Sequence, residues 1–382
     1  MHLIFSKDKY VEIFSIVNKS IPSKTPLNIL KGFFLEANDN KFIIMANNLE
    51  LVIKAIEEDL TIVEQGSVVI NDKIVDIIRQ LPDDEVVLKM DKNTFRVEVS
   101  SGDANFVLFG MDPEEYPKFS EEEDWSAWTN LHFTTKEFKK CFRGVTFAVS
   151  QDEGKPAFKG ILMELKENEQ ILTALATDTY RLAVFEKSII QKQSVKEFRL
   201  LIPAKMLTEI IRIIDDSETE LKCYFKENEL VILYKNYIFA SRLLDDKFPD
   251  LKNAFPPNNN TTIVVNKILL EKMIQRALLL SAEPNQMLSL QIEEDVLKIR
   301  AVSDIGKMDE KLLLESKEGE NLSEIFLNTR FFYDPLKYLE NEMIRIEFNG
   351  SLGPCIFSEK NEEKKYNYRY LILPIKTESS NF

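Results

Sequence analysis

The chain has 382 residues, of which 44% are hydrophobic and 29% charged, and its formal net charge is −14. This length exceeds what one core usually organises, and the composition is that of a globular rather than a disordered protein. We therefore expect two or three domains. The acidic balance excludes a protein that is basic over its whole surface, so a nucleic-acid partner would have to meet a local concentration of positive charge.

The sequence shows no targeting or membrane signal. The segment MHLIFSKDKYVEIF at the amino end contains no apolar run of signal-peptide length, and no later run is long enough to span a membrane. We expect a cytoplasmic protein that does not span a membrane. Cys141, Cys223 and Cys355 lie far apart in the sequence and are expected to be small core residues rather than disulfide partners or zinc ligands.

The predicted elements form three similar copies. Each copy opens with a short strand and an amphipathic helix that begins at a polar residue, Ser6, Thr134 or Asn266. These pairs are Leu3–Phe5 with Ser6–Lys19, Leu131–Phe133 with Thr134–Arg143, and Ile263–Val265 with Asn266–Arg276. A three-strand hairpin unit follows in each copy, at Lys31–Ile53, Lys159–Val184 and Met287–Leu312. A period of about 130 residues indicates duplicated domains rather than a solenoid.

A second helix is predicted in each copy from apolar residues spaced by four. The sets are Ile70, Ile74 and Ile78; Ile202, Met206 and Ile210; and Leu327, Phe331 and Pro335. This spacing places each set on one face of a helix, within Asn71–Gln80, Ala204–Arg212 and Asn328–Lys337. Pro335 is expected to kink or shorten the third of these helices. A basic residue, Lys73, Lys205 or Arg330, projects from a different side of each helix.

The copies end alike, and the sequence between them marks the domain boundaries. The first two copies close with Glu115-Tyr116-Pro117 and Lys247-Phe248-Pro249, and the third closes with Tyr370–Lys376, YLILPIK. The acidic stretch Ser120–Trp128 and the Asn- and Pro-rich stretch Asn253–Thr261 separate the copies. The predicted domains are therefore 1–126, 127–255 and 256–382. The polar tail Thr377–Phe382 is expected to be mobile.

No catalytic motif accompanies these copies. The sequence lacks a phosphate-binding glycine loop, a zinc-protease motif and a serine-hydrolase motif, and its two histidines are His2 and His132. His132 alternates with apolar neighbours and is expected at the surface of a strand. The catalytic alternative is that an acidic pair, Asp83-Asp84 or Asp245-Asp246, holds magnesium; both pairs fall in predicted turns, where solvated acids are common. We predict no metal and no cofactor.

Positive charge is concentrated in the predicted helices. The six helical segments together carry a net positive charge, although the whole chain is strongly acidic. Helices accept Lys and Arg readily on exposed faces, which is one explanation; the other is that the helices share one surface that contacts the phosphates of a polyanion. Six helices about 10 Å wide enclose a hole of about 10 Å, whereas twelve enclose about 30 Å, enough for a DNA duplex. We therefore hypothesise a head-to-tail dimer that closes a six-domain ring.

Four motifs in order resemble the bacterial sliding clamp family, the beta subunit of DNA polymerase III: FAVSQDEGKP (Phe147–Pro156), ATDTYRLA (Ala176–Ala183), KFPD (Lys247–Asp250) and YLILPIK. The resemblance runs from end to end. It implies an α+β DNA-clamp fold with three similar domains per chain, each with two inner helices and outer antiparallel sheets, and two chains in a six-domain ring. It also implies a non-catalytic processivity factor that encircles double-stranded DNA without sequence preference, in the cytoplasm and associated with the nucleoid during replication. The implied partners are a second copy of the chain, the replicative polymerase catalytic subunit, the clamp loader and other proteins with a clamp-binding motif.

The resemblance further implies a hydrophobic cleft that accepts a short partner peptide, often with Gln, Leu and Phe. Carried over by position, the cleft residues are Phe158, Thr177, Thr179, Tyr180, Arg181, Leu182, Pro249, Leu371, Ile372, Leu373, Pro374 and Ile375. An apolar strand with a proline can leave an edge uncovered, although the same strand could be only part of the core. Thr179 and Tyr180 stand where most relatives have a small residue and His, and Asn253 replaces a common basic residue. These departures bear on the shape of the pocket and on peptide preference.

For DNA, the resemblance points to Lys24, to the loop around Lys155 and to Lys205, and the charge distribution adds Lys140 and Arg143. The loop offers Lys155-Pro156-Ala157 rather than aromatic residues, which favours phosphate contact over base stacking. The joint between chains resembles Phe106 and Leu108 on an edge strand meeting Leu279 and Leu280 at the end of a helix; all four could equally be core residues. A scaffold of three repeated domains that binds no DNA is the remaining alternative.

Overall fold

The computed structural model describes residues 1–38, 40–118, 124–166, 171–188, 197–251, 253–281, 286–361 and 366–376 of the chain. The predicted boundary Ser120–Trp128 lies partly outside these residues, and the predicted tail Thr377–Phe382 lies wholly outside them.

Helices and antiparallel strands recur along the described residues. The helices are α1 (Lys7–Val17), α2 (Ile74–Gln80), α3 (Thr135–Thr146), α4 (Ala204–Ile213), α5 (Lys267–Leu278) and α6 (Thr329–Tyr333). The strands are β1 (His2–Ser6), β2 (Gly32–Asn38), β3 (Lys41–Asn47), β4 (Leu51–Glu57), β5 (Thr61–Glu64), β6 (Gly66–Asn71), β7 (Glu85–Met90), β8 (Arg96–Ser101), β9 (Ala104–Phe109), β10 (Thr129–Thr134), β11 (Gly160–Leu165), β12 (Ile171–Thr177), β13 (Arg181–Ser188), β14 (Phe198–Pro203), β15 (Glu220–Lys226), β16 (Glu229–Tyr234), β17 (Tyr237–Arg242), β18 (Thr261–Asn266), β19 (Met287–Glu293), β20 (Val296–Ser303), β21 (Gly306–Leu313), β22 (Ser316–Gly319), β23 (Leu322–Asn328), β24 (Met343–Phe348), β25 (Cys355–Asn361) and β26 (Tyr366–Ile372).

The chain divides into two compact units. The first unit consists of Met1–Phe138 and Thr208–Leu243, and the second consists of Lys139–Leu207 and Leu244–Phe382. The first unit contains a five-stranded sheet in the order β5-β1-β7-β8-β9 and an eight-stranded sheet in the order β10-β15-β16-β17-β4-β3-β2-β6. The second unit contains a nine-stranded sheet in the order β14-β11-β12-β13-β26-β25-β24-β18-β22 and a four-stranded sheet in the order β21-β20-β19-β23.

The large sheets of the two units repeat the same strand pairing. In the first unit the third strand of the first hairpin unit, β4, pairs with β17, the last strand of the second copy. In the second unit the third strand of the second hairpin unit, β13, pairs with β26, the last strand of the third copy. Two strands of these same types remain at sheet edges: β9, the last strand of the first copy, and β21, the third hairpin strand of the third copy. The three predicted hairpin units are confirmed by this pairing.

The predicted strand-then-helix opening of each copy is also confirmed. Asn266 caps α5, since its side chain accepts from the amide of Leu269 (3.1 Å). Thr134 and Glu137 cap α3 reciprocally: the Thr134 hydroxyl accepts from the Glu137 amide (3.2 Å), and the Glu137 carboxylate accepts from the Thr134 amide (3.1 Å).

At α1 the capping side chain comes from a distant residue. Ser6 occupies the N-cap position, but its hydroxyl donates to the Asp84 carboxylate (3.1 Å) instead of binding the helix. The same carboxylate accepts from the amide of Asp8 (3.2 Å), and the Asp84 carbonyl accepts from the amide of Lys7 (2.6 Å), so Asp84 satisfies two of the free amides of the first turn. Asp84, considered above as a magnesium ligand, is therefore a helix cap.

The extent of the second helices was predicted only in part. Ile70, Ile202 and Leu327 are the penultimate residues of strands β6, β14 and β23 and do not begin helices. The leading residue of each predicted face was therefore wrong, because a buried strand end and a helix start are equally apolar. In the third copy α6 ends before Pro335 and a short 3₁₀ helix, Asp334–Lys337, follows, as the proline predicted. The buried face there is carried by Phe332 and Leu336, whereas Phe331 is half-buried.

Two smaller predictions, the burial of the cysteines and the exposure of His132, are confirmed. Cys141, Cys223 and Cys355 are buried and are not disulfide-bonded. His132 is exposed on β10, where its Nδ1 lies 2.9 Å from the Glu220 carboxylate. In the described residues, none of the helices has the length and apolar character needed to cross a membrane.

Candidate functional site

The turn between β12 and β13 is fixed by its own side chains. The Asp178 carboxylate accepts from the amides of Tyr180 (2.9 Å) and Arg181 (3.0 Å), and the amide of Thr179 donates to the Thr177 hydroxyl (3.1 Å). Thr179 has a φ of 82°, in the left-handed region that β-branched residues rarely adopt. Local bonds therefore hold this turn in a conformation that costs about 1–3 kcal/mol.

Arg181, the first residue of β13, is buried and anchored on three sides. Its Nε donates to Asp178 (2.9 Å), its Nη1 to Asp334 (2.7 Å) and its Nη2 to the carbonyl of Phe147 (2.6 Å). Its guanidinium carbon lies 4.1 Å from the centroid of the Phe331 ring. The side chain that the family resemblance assigned to the cleft is thus an internal anchor that holds β13 against the segment around Asp334.

The Asp334 carboxylate forms ion pairs with two further basic side chains. Lys337 Nζ lies 2.9 Å from its Oδ1, and Arg330 Nε lies 3.5 Å from the same oxygen. Asp334 itself is buried, and a buried carboxylate is tolerated only with such partners. The predicted basic residue Arg330 therefore shares a carboxylate with Arg181.

The carboxyl-terminal segment passes along the turn at Tyr180. The amide of Leu373 donates to the carbonyl of Tyr180 (2.9 Å), and the amide of Ile375 donates to the carbonyl of Phe326 (2.8 Å). Leu371 and Ile372 are buried in β26, whereas Tyr180 is 61% exposed and Leu373 is 45% exposed. Together with Pro374 and Ile375, these exposed side chains form an apolar patch.

A cleft of about 230 Å³ opens on the face of the nine-stranded sheet of the second unit. Its apolar lining comes from alternate positions of β11, β12 and β13 and from the segment after β17: Leu162, Leu175, Leu182, Val184, Pro249, Leu251 and Phe255. Its charged lining is formed by Glu164, Lys166, Glu186, Arg199, Asp250 and Arg369. The cleft therefore combines an apolar floor with charged side chains of both signs.

The predicted cleft residues divide between lining, support and neighbouring surface. Leu182 and Pro249 line the cleft, and Leu371 belongs to the apolar cluster beneath it. Phe158 supports the wall, because its ring packs edge-on against Phe248 at 5.9 Å. Ile372 is completely buried in the core.

Three family models of the DNA polymerase III beta subunit match the chain in order: the N-terminal domain at residues 1–120, the central domain at 132–250 and the C-terminal domain at 252–376. The beta sliding clamp of Staphylococcus epidermidis is 31% identical over 387 residues, which cover 99% of this chain and 100% of that protein. The chain belongs to the beta sliding clamp family.

Other relatives agree with this membership. The beta sliding clamp of Halalkalibacterium halodurans is 29% identical over 389 residues, with 99% of this chain and 100% of that protein covered. The crystal structure of the DNA polymerase sliding clamp from Bacillus subtilis superimposes with a TM-score of 0.91 at 29% identity, with 99% of both chains covered. The predicted α+β clamp fold with three similar domains is confirmed, and the chain is a DNA sliding clamp, a processivity factor rather than a catalyst.

The basic residues expected at a clamp's DNA surface differ in exposure. Lys24 and Lys205 are exposed, the first in the loop after α1 and the second in the first turn of α4. Lys155 is half-buried; its Nζ donates to the Thr179 hydroxyl (3.4 Å) and lies 5.9 Å from the centroid of the Tyr180 ring. The cation expected to contact DNA thus also contacts the turn at β12 and β13.

The two basic residues of α3 are less accessible. Lys140 lies 2.6 Å from the Glu340 carboxylate, which offsets its charge, and Arg143 is half-buried. Both residues were predicted as DNA contacts from the charge of the helix alone, and the charge of a side chain does not show whether it is exposed.

The residues expected at the clamp joint lie on sheet and helix ends. Phe106 and Leu108 lie on β9, the edge strand of the five-stranded sheet, and Phe106 is exposed. Leu279 and Leu280 follow α5; Leu279 is 77% exposed and Leu280 is half-buried. Neither Phe106 nor Leu279 is an ordinary core residue of the single chain.

Sequence reasoning missed most of the cleft lining. Leu162 and Leu175 face each other across β11 and β12, and Leu251 and Phe255 cover them from the segment after β17. Their positions follow strand alternation, which identifies a buried face without showing whether another element covers it completely. In the described residues, no cluster of three or more potential metal-ligating side chains occurs.

Proposed function

We propose that two copies of the chain close a six-domain ring around double-stranded DNA, with domains bounded near residues 126 and 255, and that each copy tethers partner proteins through its cleft. The observation that carries the ring is the repeated strand pairing. A third hairpin strand pairs with the last strand of the following copy at β4–β17 and at β13–β26. The corresponding edges of β21 and β9 are left over, so a head-to-tail contact between two chains would complete the series.

The side chains at these two edges support the joint. Phe106 and Val107 are exposed on β9, and Phe109 beside them is 78% exposed. On the other edge, α5 is tied to β21 by Arg276, whose Nε lies 2.6 Å from the Glu310 carboxylate. The exposed Leu279 follows directly after α5. Exposed apolar residues next to an unpaired edge are typical of a strand-addition interface.

The joint is tested by sedimentation velocity on the full chain. We expect a dimer for the wild type and a monomer for Phe106→Asp or Leu279→Asp, because each change places a charge in the apolar contact. Leu352→Asp is the control, because Leu352 is 82% exposed and lies on neither edge. A monomeric wild type at micromolar concentration would contradict the ring.

The proposed DNA contacts are Lys24, Lys155, Lys205, Lys140 and Arg143. A sequence-independent contact with phosphates needs cations that remain accessible, which Lys24 and Lys205 satisfy best. A closed ring would hold DNA by topology, so these contacts need only be weak. We expect clamps loaded on a nicked circle to remain bound at high salt and to be lost when the circle is cut. Equal loss from intact circles would favour the alternative of a scaffold without DNA encirclement.

The proposed partner surface is the cleft together with the apolar patch of Tyr180, Leu373, Pro374 and Ile375. A concave apolar site beside an exposed apolar strand suits a short peptide whose anchor side chains fill the cleft. The partners would be the replicative polymerase, the clamp loader and other clamp-binding proteins, in the cytoplasm. Tethering would raise the polymerase's effective concentration at the primer end.

The cleft is tested by primer extension on a singly primed circle with polymerase and loader. Leu373→Asp is expected to abolish stimulation while the protein remains a dimer, because it alters the patch and neither sheet edge. The Leu352→Asp protein is the matched control and should stimulate like the wild type. Undiminished stimulation by Leu373→Asp would overturn the assignment of the patch.

A further inference from the structure

The two internal pairings between copies share one register. Leu51 lies opposite Ser241 where β4 meets β17, and Arg181 lies opposite Ile372 where β13 meets β26. Leu51 and Arg181 are the first residues of their strands. The same place in the register can therefore be looked for on the unpaired edges, β9 and β21.

The end of each copy fixes the equivalent position on β9. After the last strand of a copy, one backbone amide donates to a carbonyl on β6, β14 or β23. The three bonds are Met111 to Val69 (2.8 Å), Leu244 to Leu201 (2.9 Å) and Ile375 to Phe326 (2.8 Å). Three residues before these donors lie Leu108, Ser241 and Ile372. Leu108 on β9 is therefore equivalent to the residues that face Leu51 and Arg181.

The same three acceptors fix the equivalent position on β21. Across the sheets, Val69, Leu201 and Phe326 lie opposite Phe34, Leu162 and Ser289, which lie opposite Met45, Leu175 and Arg300. Two residues further along, Asn47, Thr177 and Val302 lie opposite Val52, Leu182 and Lys307. Gly306, the residue before Lys307, is therefore equivalent to Leu51 and Arg181.

An antiparallel pairing of β9 with β21 in this register sets Leu108 opposite Gly306 and Phe109 opposite Ile305. A Cβ added at Gly306 would lie 3.9 Å from Leu280 Cδ2, so the register brings Leu108 next to Leu280. The family resemblance assigned both leucines to the joint without any use of register. The two arguments agree on this contact.

Ile305 and Phe109 belong to the other face of the sheet. Glu310 binds Arg276 of α5, and residues at even-numbered positions of β21 therefore face that helix, whereas Ile305 and Lys307 face away from it. Ile305 is 79% exposed and Phe109 is 78% exposed. Among the large apolar side chains that the structure describes, only Leu352 is more exposed. The register thus sets two strongly exposed apolar residues opposite each other.

We propose that chains join in this register, so that Phe109 of one chain packs against Ile305 of the next on the face of the sheet away from α5. This inference rests on the proposed head-to-tail joint between β9 and β21. Aromatic and β-branched residues in opposite positions stabilise antiparallel strands, and the pairing removes both side chains from water. The joint then has an apolar contact on each face of the sheet.

The first test places the same charge at two positions of β9 on one face. In sedimentation titrations of the full chain, Phe109→Asp is expected to weaken association about tenfold per joint, or about a hundredfold for a dimer with two joints. Val107→Asp is the matched variant, because this register sets position 107 opposite the exposed Lys307. Its dissociation constant is expected to stay within about threefold of the wild-type value, since an ion pair replaces the contact of valine.

The second test restores the pair with opposite charges. Ile305→Lys alone should weaken the dimer, and its combination with Phe109→Asp should regain at least about tenfold in affinity at low salt. The equivalent positions in the first unit already carry opposite charges, Glu50 and Arg242. Leu352→Lys is the control, because Leu352 is as exposed as Ile305 and lies on neither edge. No recovery with Ile305→Lys, or equal recovery with Leu352→Lys, would overturn the pairing.

The outcomes separate the register from the joint on which it rests. If the wild type is a monomer, or if Phe106→Asp and Leu279→Asp remain dimers, the joint is wrong and the register falls with it. If those two variants dissociate but Phe109→Asp binds as tightly as Val107→Asp, the joint stands and the register is wrong. A shift of two residues that sets Phe109 opposite Lys307 would produce that second result.

Discussion

The same five-stranded face occurs in both units of the chain, but different segments cover it. In the first unit it is formed by β6, β2, β3, β4 and β17, and in the second by β14, β11, β12, β13 and β26. Strand registers identify equivalent positions, because Phe34 pairs with Met45 as Leu162 pairs with Leu175, and Val52 pairs with Ala240 as Leu182 pairs with Leu371. All of these residues except the half-buried Leu175 are buried.

The covering segments explain why one face is core and the other is a candidate binding site. In the first unit Tyr116 and Trp128 are buried on the face, and the Tyr116 ring lies 5.6 Å from that of Phe34. In the second unit Phe248 is buried in the corresponding place before a proline, but Leu251 and Phe255 are only half-buried, and the cleft remains beside them. An apolar floor is thus common to both units, and the cover decides its use.

The strongest way to break this comparison is to place a charge at equivalent floor positions. Val52→Glu is expected to destabilise the first unit by about 4 kcal/mol or more, because Tyr116 and Trp128 leave the carboxylate no route to water. Leu182→Glu should destabilise the second unit roughly half as much, since its carboxylate can reach the solvent in the cleft.

Tryptophan fluorescence distinguishes the two units in urea denaturation. Both tryptophans of the chain, Trp125 and Trp128, lie in the first unit, so fluorescence follows that unit and far-UV circular dichroism follows both. Equal losses for Val52→Glu and Leu182→Glu would show that the two faces are equally closed.

Truncating a side chain of the covering segment in each unit tests the same difference in how completely the two sheet faces are covered. Trp128→Ala should destabilise the first unit by about 3–5 kcal/mol, because a large buried ring is removed. Phe255→Ala should lower the stability of the second unit by roughly 1 kcal/mol, since its ring is half-buried. The midpoint of urea denaturation measures both; Trp125 remains as the reporter in the first variant. A larger loss for Phe255→Ala would mean that the second face is closed in solution.

The first residue after each turn provides a third comparison. Arg181 and Leu51 begin the equivalent strands β13 and β4. Arg181→Met should lower the free energy of unfolding by about 3 kcal/mol, because Asp178 and Asp334 lose their shared buried donor. Leu51→Met should lower it by less than about 1.5 kcal/mol. Calorimetry at neutral pH measures the change in the midpoint of thermal unfolding. Similar small shifts for both variants would show that the Arg181 ion pairs contribute little.

Substitutions in the turns before β4 and β13 are expected to have the smallest effect on stability. Leu49 and Thr179 both have positive φ, at 72° and 82°. Leu49→Gly and Thr179→Gly should each raise the free energy of unfolding by roughly 0.5 kcal/mol. Glycine relieves the strain of the left-handed conformation, and this gain exceeds the cost of the greater freedom of glycine in the unfolded chain. Tyr180→Gly, which has no such strain to relieve, should not stabilise. Thermal midpoints provide the measurement, and a loss of stability in Thr179→Gly would indicate that the turn is not strained.

Local patterns in the sequence predicted most of the fold. Strand–helix openings, hairpin units and the shortening of α6 at Pro335 depend on residues close together in the chain. Hydrophobic periodicity and the backbone restrictions of proline therefore identify them. The errors lie where one signal has two meanings. Ile70, Ile202 and Leu327 continue the helical spacing towards the amino end, yet each lies one residue before the end of a strand. The strand and the helix that follows it both bury apolar residues, so the spacing alone does not separate them.

The candidate site was less predictable because its character depends on distant partners. Arg181 and Asp334 are 153 residues apart, and nothing local shows that the arginine is buried. Leu162 and Leu175 have the same alternation as Phe34 and Met45, and only the covering segment separates a cleft from a core. The resemblance supplied Leu182 and Pro249, but it did not supply the other residues that line the cleft.

The two unpaired edges, β9 and β21, have a consequence for assembly. In the proposed head-to-tail joint the two edges are unlike each other, so a chain that joins by one edge still presents the other. The joint alone therefore does not limit the number of chains in the assembly. Only the angle between successive chains decides whether the series closes after two or continues as an open fibre. Substitutions that alter this angle without weakening the contact should therefore produce long polymers instead of monomers.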